Sequence, residues 1–157
     1  RFAPKGKLLD VGAGCGIVGL LVARDFSGIT LEAVEKQSVY AEFARRNAQI
    51  NGIGYTLHEG DFLELGPHGT YDWIVSNPPY GERLADRDAA IALLREFVHR
   101  VKHHGTDTRL TLVLPRGDLE KSVGLKPSKR LAVESGPLGL RFLAYEIYAG
   151  SRKGARS

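Results

Sequence analysis

Hydrophobic and polar positions follow two different periods along this chain, and the change of period divides it into strands and helices. Lys7-Leu8-Leu9-Asp10-Val11 is a short buried-strand pattern. Residues 17–25 are apolar on every side, which predicts a buried helix. Ile29-Thr30-Leu31-Glu32-Ala33-Val34-Glu35 alternates and predicts a second strand that ends in an acid. From residue 37 to residue 51 the spacing is helical, with Val39, Phe43, Ala44 and Ala48 on one face and Asn51-Gly52 as a left-handed stop. Tyr55-Thr56-Leu57-His58 and Tyr71-Asp72-Trp73-Ile74-Val75 read as two further strands, with a turn at Gly66-Pro67-His68-Gly69 between them. Residues 85–104 form a long amphipathic pattern that buries Ile91, Leu94, Val98 and Val101. Residues 108–114 give another apolar strand, and residues 115–123 a short helix or loop. Leu131-Ala132-Val133-Glu134 and residues 140–148 flank Ser135-Gly136-Pro137-Leu138-Gly139 as an antiparallel hairpin at the sheet edge. Strand and helix alternate and then a hairpin closes the chain. That order predicts an α/β fold: a mostly parallel sheet, helices on both faces and one antiparallel strand.

Two loops in this pattern carry chemistry. The first, Gly12-Ala13-Gly14-Cys15-Gly16, lies between the first strand and the first helix, where glycines let a ligand approach the backbone closely. A dinucleotide fingerprint requires glycine three residues after Gly14, and that position is Ile17; the Gly-Lys-Ser/Thr end of a phosphate-binding P-loop is also missing. Glu35, at the end of the second strand, is placed to accept hydrogen bonds from both ribose hydroxyls of an adenosine. The second loop is Ser76-Asn77-Pro78-Pro79-Tyr80. Two prolines cannot continue a ladder, so the strand stops at Asn77 and a rigid loop follows. It offers an amide oxygen beside proline carbonyls to an exocyclic NH2 group, and an aromatic ring to a flat base or amide.

Composition narrows the classes. With 157 residues the chain is long enough for one domain with a real core, expected over residues 1–150, and residues 151–157 form a basic tail expected to be flexible. The net charge of +4 permits a polyanionic partner without demanding one. No apolar run is long enough to span a bilayer and no signal-peptide pattern opens the chain. A single cysteine, Cys15, excludes an internal disulfide framework, fits a reducing cytosol and so a cytoplasmic protein, and reads as a small loop residue with no base partner. His99 and His103 have the i,i+4 spacing of half a metal site, but without HExxH or clustered cysteines they read as a basic helix end, and no metal is expected. The chain begins at Arg1 and contains no methionine, which suggests a catalytic domain of a longer protein.

The spacing Asp10-x-Gly12-x-Gly14-x-Gly16, followed by Asn77-Pro78-Pro79-Tyr80, resembles the class I S-adenosylmethionine (SAM) methyltransferases that modify amino groups. The resemblance implies a Rossmann-like fold with a seven-stranded sheet and SAM as cofactor. It implies a cofactor site made of Asp10, Gly12, Ala13, Gly14, Gly16, Glu35, Lys36, Asp61, Phe62 and Asn77, in which Asp61 receives the adenine amino group and Phe62 packs on the ring. It makes Asn77, Pro78 and Tyr80 catalytic, and Pro79, Tyr80, Glu82 and Arg83 substrate-binding. Arg83 and Lys126 or Lys129 are candidates for phosphate contacts. Residues 5–61 are similar to small tRNA adenine-N6 methyltransferases. Residues 77–84, with Lys126-Pro127-Ser128-Lys129 and Gly136-Pro137-Leu138, are similar to the RNA guanine-N2 methyltransferases that carry a THUMP RNA-binding domain. Both imply transfer to an exocyclic amine in RNA (rRNA or tRNA), with guanine N2 favoured. DNA adenine, the glutamine amide of a release factor, and a non-catalytic SAM-binding subunit remain alternatives.

Overall fold

A computed structural model describes residues 5–81, 84–104, 107–135 and 138–148. The strands are β1 (Gly6–Val11), β2 (Ile29–Glu35), β3 (Tyr55–Glu59), β4 (Trp73–Ser76), β5 (Thr108–Pro115), β6 (Lys129–Ser135) and β7 (Leu138–Ile147). The helices are α1 (Ile17–Asp25), α2 (Ser38–Ile50), α3 (Phe62–Leu65), α4 (Leu84–His104) and α5 (Asp118–Ser122). They build one seven-stranded sheet in the order β3-β2-β1-β4-β5-β7-β6. β1 pairs in parallel with β2 and β4, β2 with β3, and β4 with β5, while β7 runs antiparallel to both β5 and β6. The expected sheet with one reversed strand is therefore present. The turn at Gly136 and Pro137 and the tail at 151–157 lie outside the described residues.

Side-chain alternation along the strands sorts residues between two layers. Leu9 and Val11 of β1 join Ile74, Leu110, Leu112, Leu114, Leu143 and Tyr145 beneath α4, whose Leu94, Phe97, Val98 and Val101 complete the larger core. Leu8 points the other way, into a smaller cluster with Leu20, Leu31, Ala48 and Val75 under α1 and α2. On that second side the strip over β4, β5 and β7 carries no helix among the described residues. Val18, Val22 and Phe26 of α1 and Trp73, Val113 and Phe142 of the sheet bound an apolar groove of about 210 Å³ there.

Two helices bury different residues from those expected. α1 buries only Gly19 and Leu20, and Ile17 is 62% exposed, so it lies on the surface although it is apolar all round. α2 buries Ala41, Ala44 and Ala48, while Val39 and Phe43 face outward. The reason is proximity: a Cβ on Gly16 would lie 3.2 Å from the Cβ of Ala44, so only small side chains fit between α2 and the glycine loop. Gly19 permits a similar approach, since a Cβ there would meet Leu31 at 2.8 Å and the Asp10 carboxylate at 2.9 Å.

Candidate functional site

The glycine loop is held by the end of β2. The Val34 carbonyl accepts from Gly12 N at 2.9 Å and Ala13 N at 3.2 Å, and Gly14 N donates to Glu35 Oε2 at 2.8 Å. Gly14 has φ +55, a left-handed conformation that turns its N–H toward that carboxylate and that a side chain would strain. Glu35 is buried and its other oxygen, Oε1, accepts from Gln37 N at 2.8 Å. A carboxylate has about four acceptor positions, so each oxygen keeps one for a ligand hydroxyl. Asn47 of α2 adds a third tie, from Nδ2 to the Cys15 carbonyl at 2.9 Å.

Asp61 ends the loop after β3 and caps α3, accepting from Leu63 N at 2.9 Å. Its Oδ2 is 2.8 Å from Lys36 Nζ. The Lys36 ammonium, then the Leu63 N–H, hold the Asp61 carboxyl below its ordinary value, so it is an acceptor at neutral pH. The Phe62 ring is buried and tilted 59° against Phe97 of α4, with ring centres 5.2 Å apart.

These groups meet Asn77 and its prolines around one pocket of about 460 Å³ at the C-terminal ends of β1 to β4. This is the edge at which open α/β sheets bind ligands. Of the residues picked out in the sequence, Gly12, Gly14, Glu35, Lys36, Asp61, Phe62, Asn77, Pro78 and Pro79 line the pocket. Asp10, Ala13, Gly16 and Tyr80 are not on its wall. Asp10 is buried and accepts from Gly19 N at 2.9 Å, while Gly16 begins α1. Glu82 and Arg83 lie outside the described residues. Tyr40, Leu93 and Phe97 also line the pocket and were not expected. They carry no motif; their helix positions alone would have placed them at a surface or in a core.

The acceptor loop is set by β4. Ser76 Oγ donates to the Val11 carbonyl at 2.9 Å, which locks the end of β4 to the end of β1 and the two loops to each other. Gly81 closes the loop with φ +67; a Cβ there would lie 2.6 Å from the Asp86 carbonyl oxygen, so the turn into α4 requires glycine. Asn77 is exposed, and its Oδ1 accepts the Tyr80 hydroxyl. Tyr80 is half-buried and packs against the larger core. Burial pushes its phenol upward in pKa, which keeps it a hydrogen-bond donor. Tyr80 was expected to offer a stacking face; it also orients the amide that would receive the acceptor. The His99 and His103 rings lie tilted with centres 4.3 Å apart on the exposed side of α4, and no group of three or more metal-ligating side chains converges among the described residues.

A Rossmann-like sheet with a glycine loop, an acid after β2 and a pocket shared with an Asn-Pro-Pro-Tyr loop defines a nucleoside-cofactor methyltransferase. The model of the methyltransferase small domain family matches residues 2–120, and the chain belongs to that family. Solved structures share the fold at low identity. A methyltransferase from Pyrococcus furiosus superposes with a TM-score of 0.76 and 20% identity over 95% of this chain and 78% of that one. TrmN from Thermus thermophilus gives 0.80 and 22% over 92% of this chain and 45% of its own length. An RNA methyltransferase from Salinibacter ruber, solved with S-adenosyl-L-homocysteine, gives 0.71 and 14% over 97% and 87%.

The cofactor of this methyltransferase is SAM, and the pocket fits it. Glu35 would offer acceptors to a ribose diol, Asp61 an acceptor to an adenine amino group, and the glycine loop would expose backbone to an amino-acid chain. When bound, SAM supplies a methyl group already activated on a sulfonium.

Proposed function

We propose that this protein methylates an exocyclic amine of a base in RNA, with guanine N2 the favoured acceptor. The observation that carries the reading is the Asn77 side chain, which lies on the wall of the cofactor pocket with Oδ1 held by the Tyr80 hydroxyl. An exocyclic amine has its lone pair delocalised into the ring. Its two N–H groups would donate to Asn77 Oδ1 and to the Pro78 carbonyl, which orients the nitrogen toward the cofactor. The same acceptors stabilise positive charge as it develops on that nitrogen, and they are rigid because prolines and a half-buried phenol fix them. No strong base is required, since the extra proton can pass to water once the methyl is in place. A base entering the loop must be unpaired or flipped out of its stack, and the Tyr80 and Pro79 surfaces would receive it.

The RNA reading draws support from the RNA methyltransferase of Salinibacter ruber, which shares the fold. Guanine is favoured by Gly81-Glu82-Arg83-Leu84, because a carboxylate at Glu82 would accept from guanine N1–H and repel the unprotonated N1 of adenine. The test is nucleoside mass spectrometry of RNA treated with the protein and labelled SAM. Label in N2-methylguanosine is the expected result. Label only in N6-methyladenosine rejects guanine, and label only in a release-factor glutamine or in DNA rejects RNA.

A further inference from the structure

A second polar concavity lies outside the cofactor pocket. It measures about 580 Å³, and Arg116, Lys121, Lys126, Arg130 and Arg141 line it with one carboxylate, Glu120. Glu120 Oε2 accepts from Arg141 Nη1 at 2.9 Å, and Oε1 accepts from Arg130 Nε at 3.2 Å. The carboxylate therefore fixes two guanidinium groups, each of which has further N–H donors to give. Arg116 and Lys126 are exposed and have no ion-pair partner among the described residues. Asp118, beside the concavity, also pairs with Lys121 at 3.7 Å, so five cations face two carboxylates; the excess positive charge repels itself, and a polyanion relieves that repulsion.

The concavity lies on the same edge of the sheet as the acceptor loop. β4 and β5 are parallel, so Asn77 and Arg116 leave the sheet at the same end. Arg116 N donates to the Gly139 carbonyl at 3.3 Å, which brings the start of β7 to that edge, and Arg141 follows two residues later. α5, one wall of the concavity, is joined to the first turns of α4 by Arg87 Nη2 and Asp118 Oδ2 at 2.9 Å. Gly81, at the end of the acceptor loop, packs against Asp86 and Arg87 of that part of α4. Adjacent strands lie about 4.8 Å apart, so β5, β7 and β6 place these cations roughly 5–15 Å to one side of Asn77.

We infer that this depression docks phosphates of the RNA chain next to the base that enters the acceptor loop. The inference rests on the RNA reading and extends it by assigning a second, sequence-independent binding surface. Phosphate contacts of this kind position a chain without reading its bases.

The test is fluorescence anisotropy of a single-stranded RNA oligonucleotide of mixed sequence across a salt series, with wild type and the double variant Arg116→Ala/Lys126→Ala. The variant should bind RNA more weakly, with the slope of log affinity against log salt reduced by about 0.7 for each phosphate that is no longer neutralised. Its KM for RNA should rise while its affinity for SAM, read by calorimetry, does not change. A charge-matched control, Arg46→Ala/Lys102→Ala, should change neither. Unchanged RNA affinity and salt slope in the Arg116/Lys126 variant, beside a wild type that methylates RNA, overturns the docking surface and leaves the RNA reading in place. A wild type that labels only protein or DNA overturns both.

Discussion

The cofactor pocket and the acceptor loop share a wall at Asn77 but are built on opposite principles. Around the pocket, acidic side chains hold the main chain: Glu35 takes Gly14 and Gln37 N–H, Asp61 takes Leu63 N–H, and Asp10 takes Gly19 N–H beneath. Four backbone N–H groups are held by three carboxylates, so stability and binding depend on the same atoms. The acceptor loop reverses this. Prolines and a glycine turn fix the backbone, and the groups proposed to act are an exposed amide and the phenol that holds it. Removing the acceptor that holds the main chain around the pocket should therefore disturb fold and cofactor together. Removing a side chain from the second should disturb the reaction alone.

Glu35→Ala should show the largest effect. It strips the acceptor from two backbone N–H groups, at about 1–3 kcal/mol each, and it also removes the bonds to a ribose diol, about 1.5–3 kcal/mol each. Urea unfolding without cofactor and calorimetry with SAM should both register the loss. A variant that binds SAM weakly but unfolds like wild type would separate functions that the structure joins. Asn77→Ala comes next, with a rate loss of about a hundredfold or more and little change in stability or SAM affinity. Near-normal turnover would remove the amide from the mechanism.

Asp10 tests the buried side of the first region. Burial raises its carboxyl to about 6, the Gly19 N–H opposes the shift, and the Glu35 charge adds to it. Below its ordinary value of 3.8 the folded and unfolded chains both hold the proton. Between about 4 and about 6 only the folded chain still holds it, so this group's contribution to stability falls as pH rises through that window and stays lower above it. Asp10→Asn keeps an acceptor for Gly19 N–H and removes the charge. It should flatten that fall and gain on the order of 2 kcal/mol at pH 7 relative to wild type. Urea midpoints at pH 4.5 and pH 7, compared between the two proteins, isolate the effect from other carboxylates. Tyr80→Phe should be the smallest change. It keeps the ring and loses the bond to Asn77 Oδ1, lowering kcat by about two- to tenfold while SAM affinity holds. An unaltered kcat would leave the ring, and not the hydroxyl, as the useful part of Tyr80.

Much of this molecule is fixed by local sequence. The period of the apolar positions sets every main strand and helix, because main-chain geometry repeats at two residues or at 3.6. Two prolines end β4 at Ser76 and the glycines make the cofactor loop, since both act through their own backbone. Local pattern places Glu35, Asp61 and Asn77 at strand ends, and that suffices to find the pocket. The tertiary structure decided what periodicity leaves open. Period shows which residues of α2 share a face; the tight approach to Gly16 chose Ala41, Ala44 and Ala48 over Val39 and Phe43. Asp10 and Gly16 belong to the same motif as Gly14, yet Asp10 packs against Gly19 and Gly16 against Ala44, off the pocket wall. The basic depression draws Arg116 from the end of β5, Lys121 from α5 and Arg141 from β7, residues that no spacing rule connects. Only the sheet order, which sets β7 between β5 and β6, brings those charges together.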